Sequence, residues 1–163
     1  MSHRIPYVTE LIVTAIFADA RGGFMPSTII DVRMAYTEAE EVAIIEAVRL
    51  AQKEALHLDD NNRNIILVPH LPHRFLGRPD RENPERFTNV SLFVLPGYTT
   101  ETKRQLYRAI VDKLEPLGIP KTCVLIKFHE LSPENTAIRG GIAMCDLDYA
   151  KPTNKIRSQN SKA

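Results

Sequence analysis

The sequence repeats itself, and the repeat limits the fold more than any other feature. Tyr36-Thr37 recurs as Tyr98-Thr99 at an offset of 62, and at that offset Ile44, Ala47 and Val48 recur as Leu106, Ala109 and Ile110. After a one-residue slip to an offset of 61, Leu56 and Leu58 meet Leu117 and Ile119, and Ile65 and Leu67 meet Ile126 and Phe128. Self-similarity of this kind marks two copies of one supersecondary unit.

Each copy reads strand, helix, strand. In the first, Ser27 to Arg33 is a strand, Thr37-Glu38-Ala39-Glu40 is a capping box, and a helix runs to about Leu56 with Ile44, Ala47, Val48, Ala51 and Ala55 on one face. Ile65-Ile66-Leu67-Val68 is an unbroken apolar run, of the kind buried on both faces of a parallel sheet. In the second, Asn89 to Leu95 is a strand, and Thr99 begins a helix with a stripe at Leu106, Ala109, Ile110, Leu114 and Leu117. Cys123 to Glu130 is the last strand. Parallel strands need a right-handed helical crossover, so each copy is a βαβ unit. The expected fold is α/β (α+β): a four-stranded sheet with two helices on one face.

That arrangement leaves the other sheet face uncovered, and assembly with further copies is the expected remedy. The segment Ile138 to Cys145, bent at Gly140-Gly141, is expected to pair onto a neighbouring copy. The expected organisation is residues 1–25 as an extension or a start placed too far upstream, 26–150 as the domain, and 151–163 as a disordered polar tail.

Between the copies lies a Pro- and Arg-rich loop, His70 to Arg86, without periodicity. In it Arg78, Arg81 and Arg86 alternate with Asp80, Glu82 and Glu85, which reads as a solvated, self-neutralising stretch. The 21 Lys and Arg balance 20 Asp and Glu, leaving no basic excess to drive nucleic-acid binding. No run approaches the roughly 20 apolar residues of a membrane-spanning helix. A faint secretory pattern, the apolar run Leu11 to Phe17 ahead of Ala18-Asp19-Ala20, is interrupted upstream by Glu10. Cys123 and Cys145 have no metal-ligand spacing and read as buried thiols in a reducing compartment, the cytoplasm.

Met25-Pro26 stands directly before the first strand, where a residue that cannot donate to a ladder is tolerated. As an internal residue Pro26 is an amide and an ordinary strand edge. As a chain terminus it is a secondary amine. An α-amino group has a reference pKa of about 8, and apolar burial or nearby cations favour its neutral form. Such an amine can take a proton from a carbon beside a carbonyl and so interconvert keto and enol forms.

The tandem βαβ units and Met25-Pro26, with the blocks Pro72-His73-Arg74-Phe75, Tyr98 to Arg104 and Ile138-Arg139-Gly140-Gly141, resemble the tautomerase superfamily. Within it they are similar to the longer tautomerase family proteins related to malonate semialdehyde decarboxylase and macrophage migration inhibitory factor. The resemblance covers about Pro26 to Asp148. It implies a homotrimer with active sites between subunits, no metal, no organic cofactor, and an amino-terminal proline as the catalytic group once the initiator methionine is removed. The decarboxylase relatives place two arginines where this chain has Pro96 and Tyr98, so decarboxylation is not expected. Tyr36 stands where other members carry a dicarboxylate-binding arginine, and Thr136 stands where a related loop has tryptophan.

The expected activity is keto–enol tautomerisation of a small carbonyl acid, with Pro26 as general base. His73 and Arg74 are candidates for the substrate, an arginine being suited to bidentate contact with a carboxylate. Arg139 either reaches substrate or bonds a neighbouring subunit's carbonyls. Tyr98 either protonates an enolate or caps the second helix, and its repeat partner Tyr36 favours the second role. His57 and His129 read as ordinary residues of a helix end and a strand. Two alternatives remain: hydration or dehalogenation of an unsaturated acid on the same fold, and a non-catalytic trimeric binding protein in which the extension blocks Pro26.

Overall fold

A computed structural model describes residues 26–33, 35–138 and 140–147. The chain divides into two compact units at Pro133. The larger holds the duplicated βαβ units: β1 (Ser27–Val32), α1 (Glu38–Leu56), β2 (Ile65–Pro69), β3 (Thr88–Val94), α2 (Thr100–Leu114) and β4 (Val124–Glu130). The other holds a short antiparallel hairpin of β5 (Ala137–Ile138) and β6 (Ile142–Ala143). The segment expected to pair onto a neighbour thus pairs within its own hairpin, turning through Gly140 at φ 83° and Gly141 at φ 98°, a region few other residues tolerate. The expected extension and tail lie outside the described residues.

The four strands form one sheet in the order β2-β1-β3-β4. Within each half the strands are parallel, and the halves join where β1 runs antiparallel to β3. The register carries the duplication: Thr28 pairs with Ile65 in the first half and Val90 with Ile126 in the second, offsets of 62 and 61. The bonds that close each half also repeat, from His70 N–H to the Val32 carbonyl and from Leu131 N–H to the Val94 carbonyl, both 2.8 Å.

The slip arises at the end of α2. The nineteen residues of α1 are matched by fifteen α-helical residues of α2 and a three-residue 3₁₀ turn, Glu115–Leu117. A 3₁₀ turn rises about 2 Å per residue against 1.5 Å in an α-helix, so three residues cover the length of four. Pro116, lacking an N–H, suits that tightened turn. Both helices then end on a left-handed residue: His57 (φ 54°) after α1, and Gly118 (φ 79°) after the turn.

The helix starts are alike. Thr37 and Thr99 have nearly identical backbone angles and each caps its helix, Thr37 in a complete capping box with Glu40. The bonds from Thr37 hold the Glu40 carboxyl below its usual range. The helices cover one face of the sheet, where Ile30, Val32, Val90, Leu92 and Val94 pack on Ile44, Val48, Ala51, Leu106, Ile110 and Leu114. Gln52 is buried there, and its amide donates to the Thr28 hydroxyl at 3.0 Å.

Three expectations need correction. β2 is an outer strand and is not buried on both faces, since Ile66 is 52% exposed. Cys123 is buried but Cys145 is exposed. The Arg-rich loop is self-neutralised only at Arg78–Asp80 (2.6 Å); the Arg81 guanidinium donates to the Thr122 carbonyl, and that of Arg86 lies over the Tyr36 ring at 5.2 Å.

Candidate active site

Pro26 is buried directly ahead of β1. The first ladder bond toward β2 comes two residues later, from Thr28 N–H to the Asn64 carbonyl at 3.0 Å, so the missing proline N–H leaves no gap there. Because β1 is parallel to β2 and antiparallel to β3, this end of the sheet collects the starts of β1 and β2 and the finishes of β3 and β4. One row of Cα partners crosses it: Ser27 opposite Phe93, and Phe93 opposite His129.

Tyr98 belongs to the same end. The chain leaves β3, turns at Gly97 (φ 128°), and places the Tyr98 ring edge-on to Phe128 with centroids 5.9 Å apart. Burial pushes its phenol above the ordinary value. The Lys103 ammonium sits 4.9 Å from the Phe128 centroid and pairs with Glu130 at 2.9 Å. The partner of Tyr98 in the repeat, Tyr36, is held in a corresponding way after β1. Its phenol is also pushed up by burial, against the opposing effect of Arg86. The two tyrosines thus share the helix-side position that the repeat suggests.

His73 and Arg74 lie at the opposite end. They form an exposed 3₁₀ turn, Pro72–Arg74, just beyond the finish of β2. The six residues of β1 span about 20 Å at 3.3 Å per residue, so within one protomer this turn and Pro26 are separated by the length of the sheet. Arg139 lies outside the described residues.

At that far end the structure assembles a group that the sequence reading did not single out. His70 Nε2 lies 2.7 Å from the Asp31 carboxylate, and the Asn89 amide donates to the other carboxylate oxygen at 3.2 Å. The imidazole also packs against Phe75 at 5.4 Å. Strand alternation could have placed Asp31 on the open face, but the fold-back of His70 is a loop property that no period encodes. Among the described residues no group of three or more His, Cys, Asp or Glu side chains could hold a metal ion, and no helix is long and apolar enough to cross a membrane.

Residues 62–139 match the family model described as tautomerase enzyme. No curated protein matches the sequence. Among solved structures, a malonate semialdehyde decarboxylase inhibited by 3-bromopropiolate is 26% identical, with a TM-score of 0.61 over 69% of this chain and 88% of that one. A native fused 4-OT is 16% identical, with a TM-score of 0.65 over 74% of this chain and 98% of that one. Another fused 4-OT, a symmetric trimer, is also 16% identical, with a TM-score of 0.60 over 72% of this chain and 98% of that one. The sequence pattern of residues 62–139 and the duplicated βαβ fold agree in what they resemble: over that stretch the chain is similar to the tautomerase enzymes, and its fold is that of the malonate semialdehyde decarboxylase and fused 4-OT structures.

Proposed function

We propose that the protein is a cofactor-independent keto–enol tautomerase of a small carbonyl acid, in which Pro26, freed by removal of Met25, is the general base. The position of Pro26 carries this reading. It stands immediately before an inner strand, is buried, and lies at the sheet end that also holds Tyr98 and an exposed imidazole. The neutral proline nitrogen takes a proton from the carbon beside the carbonyl. The C–H bond breaks, an N–H bond forms, and the electron pair passes into the new C=C bond and onto oxygen.

His73 and Arg74 would reach this centre only from another copy of the chain, since their own Pro26 is a sheet length away. The open face supports such assembly, for it presents Ile29, Ile66, Val68, Phe93 and Leu125 on the side away from α1 and α2, and Ile66 and Leu125 are 52% and 40% exposed. A homotrimer, as the fused 4-OT structures form, would cover it. The likeness to a decarboxylase inhibited by 3-bromopropiolate favours one second reading, hydration or dehalogenation of an unsaturated acid, in which Pro26 acts in its protonated form.

The deciding measurement is the intact mass of the protein purified from its source, together with phenylpyruvate enolisation by the Pro26→Ala variant. A chain beginning at Pro26 and a loss of about a hundredfold or more is expected. A mass that includes residues 1–24 points to the non-catalytic alternative, and full activity of Pro26→Ala overturns the proline base. A pH profile that requires a protonated group of high pKa moves the assignment to hydration.

A further inference from the structure

We infer that His70 is a positioning residue for the proposed reaction: held on Asp31 and packed on Phe75, its imidazole closes the base of the turn at residues 71–74 and so presents Arg74 in one orientation to the substrate's carboxylate. The inference rests on the reading in which Arg74 reaches the substrate from another copy of the chain, and it names what holds that arginine in place.

The turn is pinched at its base. Within it, Arg74 N–H donates to the Leu71 carbonyl at 2.8 Å and Phe75 N–H to the Pro72 carbonyl at 3.4 Å. The rings on either side, His70 and Phe75, meet with centroids 5.4 Å apart, so the two ends of the turn are held together. Both rings are tied to the sheet. His70 N–H donates to the Val32 carbonyl at 2.8 Å, and its Nε2 lies 2.7 Å from the Asp31 carboxylate, whose other oxygen accepts from the Asn89 amide at 3.2 Å. Phe75 packs edge-on against Phe87, the residue before β3, with centroids 5.5 Å apart. The turn is thereby anchored to β1 and β3 as well as to the end of β2.

Arg74 is the arginine that this arrangement leaves available. Of the four in the loop, Arg78 pairs with Asp80, Arg81 donates to the Thr122 carbonyl, and Arg86 lies against the Tyr36 ring. Arg74 is exposed and has no hydrogen-bond or ion-pair partner among the described residues. A guanidinium on a loose loop gives up backbone and rotamer freedom when it grips a carboxylate, and a turn fixed beforehand lowers that cost.

The second half of the repeat shows that the fold itself does not require this group. Its counterpart, Pro133–Asn135, is also a 3₁₀ turn and is closed by the same two backbone bonds, from Leu131 N–H to the Val94 carbonyl at 2.8 Å and from Thr136 N–H to the Pro133 carbonyl at 3.4 Å. There Leu131 stands for His70, Phe93 for Asp31 and Thr136 for Phe75, and the turn carries Glu134 and Asn135 in place of His73 and Arg74. The imidazole, its carboxylate and the second ring accompany the arginine, and the half without the arginine lacks all three.

The test compares His70→Ala, His70→Gln, Arg74→Ala and the double variant His70→Ala/Arg74→Ala in the full chain, with phenylpyruvate as substrate. The carboxylate keeps its charge through enolisation, so a well-placed arginine favours ground and transition states alike, and loosening it raises KM while leaving kcat nearly unchanged. KM is expected to rise about three- to tenfold in His70→Ala and about tenfold or more in Arg74→Ala. His70→Gln, which keeps an N–H donor for Asp31, should recover part of the loss. The double variant should be no worse than Arg74→Ala, because placement no longer matters once the guanidinium is gone. An additive double variant, or an unchanged KM in His70→Ala beside a raised one in Arg74→Ala, overturns the inference and leaves the reading of Arg74 standing. An unchanged KM in Arg74→Ala overturns both. A kcat lost in His70→Gln makes the imidazole a proton carrier and overturns the positioning role. Tryptic cleavage after Arg74 in the native protein gives a readout independent of turnover: it is expected to quicken several-fold in His70→Ala while cleavage elsewhere is unchanged, and an unaltered rate overturns the inference. Should His70→Ala fail to fold, Asp31→Asn, which keeps the side chain's shape and removes its charge, is expected to show the same rise in KM and the same faster cleavage, and an Asp31→Asn protein that behaves as the wild type overturns the inference.

Discussion

The two βαβ halves are near copies on the face that meets the helices and unlike on the face that does not. Toward the helices, Ile30, Val32, Ile65 and Leu67 of the first half answer to Leu92, Val94, Ile126 and Phe128 of the second. On the open face the corresponding pairs are Ile29 and Ser91, Asp31 and Phe93, Ile66 and Lys127, and Val68 and His129. One constraint acts on both inner faces, since each helix must fill the same space over its strands with close-packed apolar volume. The outer face carries no such requirement in a single copy. It has been free to diverge, and the residues suited to chemistry or to contact with another copy are found there.

Deleting apolar volume at matched core positions tests the likeness most severely. Ile44→Ala and Leu106→Ala remove buried side chains from equivalent sites on α1 and α2, and each is expected to cost about 2–5 kcal/mol in urea denaturation. Strongly unequal losses would show that the halves are not equivalent in packing.

One inner pair does differ, and the difference offers a smaller test. The buried pair Gln52–Thr28 of the first half is replaced in the second by Leu114 and Val90. Gln52→Leu alone orphans the Thr28 hydroxyl and is expected to cost about 1–3 kcal/mol, whereas adding Thr28→Val should restore most of that loss, because removing both partners leaves nothing unpaired. A double variant no better than the single one would break the analogy.

The caps come next. Thr37→Ala is expected to cost about 1 kcal/mol, and slightly more than Thr99→Ala, because only Thr37 is joined by a reciprocal glutamate. The pH dependence follows from Glu40. Its folded-state carboxyl is held below the ordinary value of 4.5 by the bonds from Thr37, so its contribution is fully present above that value and is lost as pH falls through the folded one. Glu40→Gln should flatten the acid limb of a stability profile, and an unchanged slope would contradict the capping role.

The smallest effect is at the helix ends, where the halves use different residues for one conformation. Gly118→Ala is expected to destabilise by about 1 kcal/mol, and His57→Gly to stabilise by up to about the same amount, measured by thermal unfolding. A destabilised His57→Gly would give that imidazole a role beyond ending α1.

Much of this molecule can be read along the chain. The repeat predicts two βαβ units, the capping box places the first helix from Thr37 to Leu56, and even the slip from 62 to 61 predicts a residue lost between Ala109–Ile110 and Leu117. These are local signals: hydrogen bonds between near neighbours and the spacing of apolar side chains write themselves into sequence period. The place of Pro26 before a strand was legible too, and so was the helix-side position of Tyr98, from its repeat partner Tyr36. The ends of the sheet on which they meet were not.

The sequence alone therefore determined the elements, their caps, the helix-facing rows and the family likeness. The tertiary structure decided that the halves join antiparallel through β1 and β3, that β2 is an outer strand, that His73 and Arg74 stand a sheet length from Pro26, and that His129 stands at its end. The physical reason is that register between distant strands is set by non-local hydrogen bonds and by packing across the whole sheet. A period of two says which residues share a face, but not which strand lies alongside.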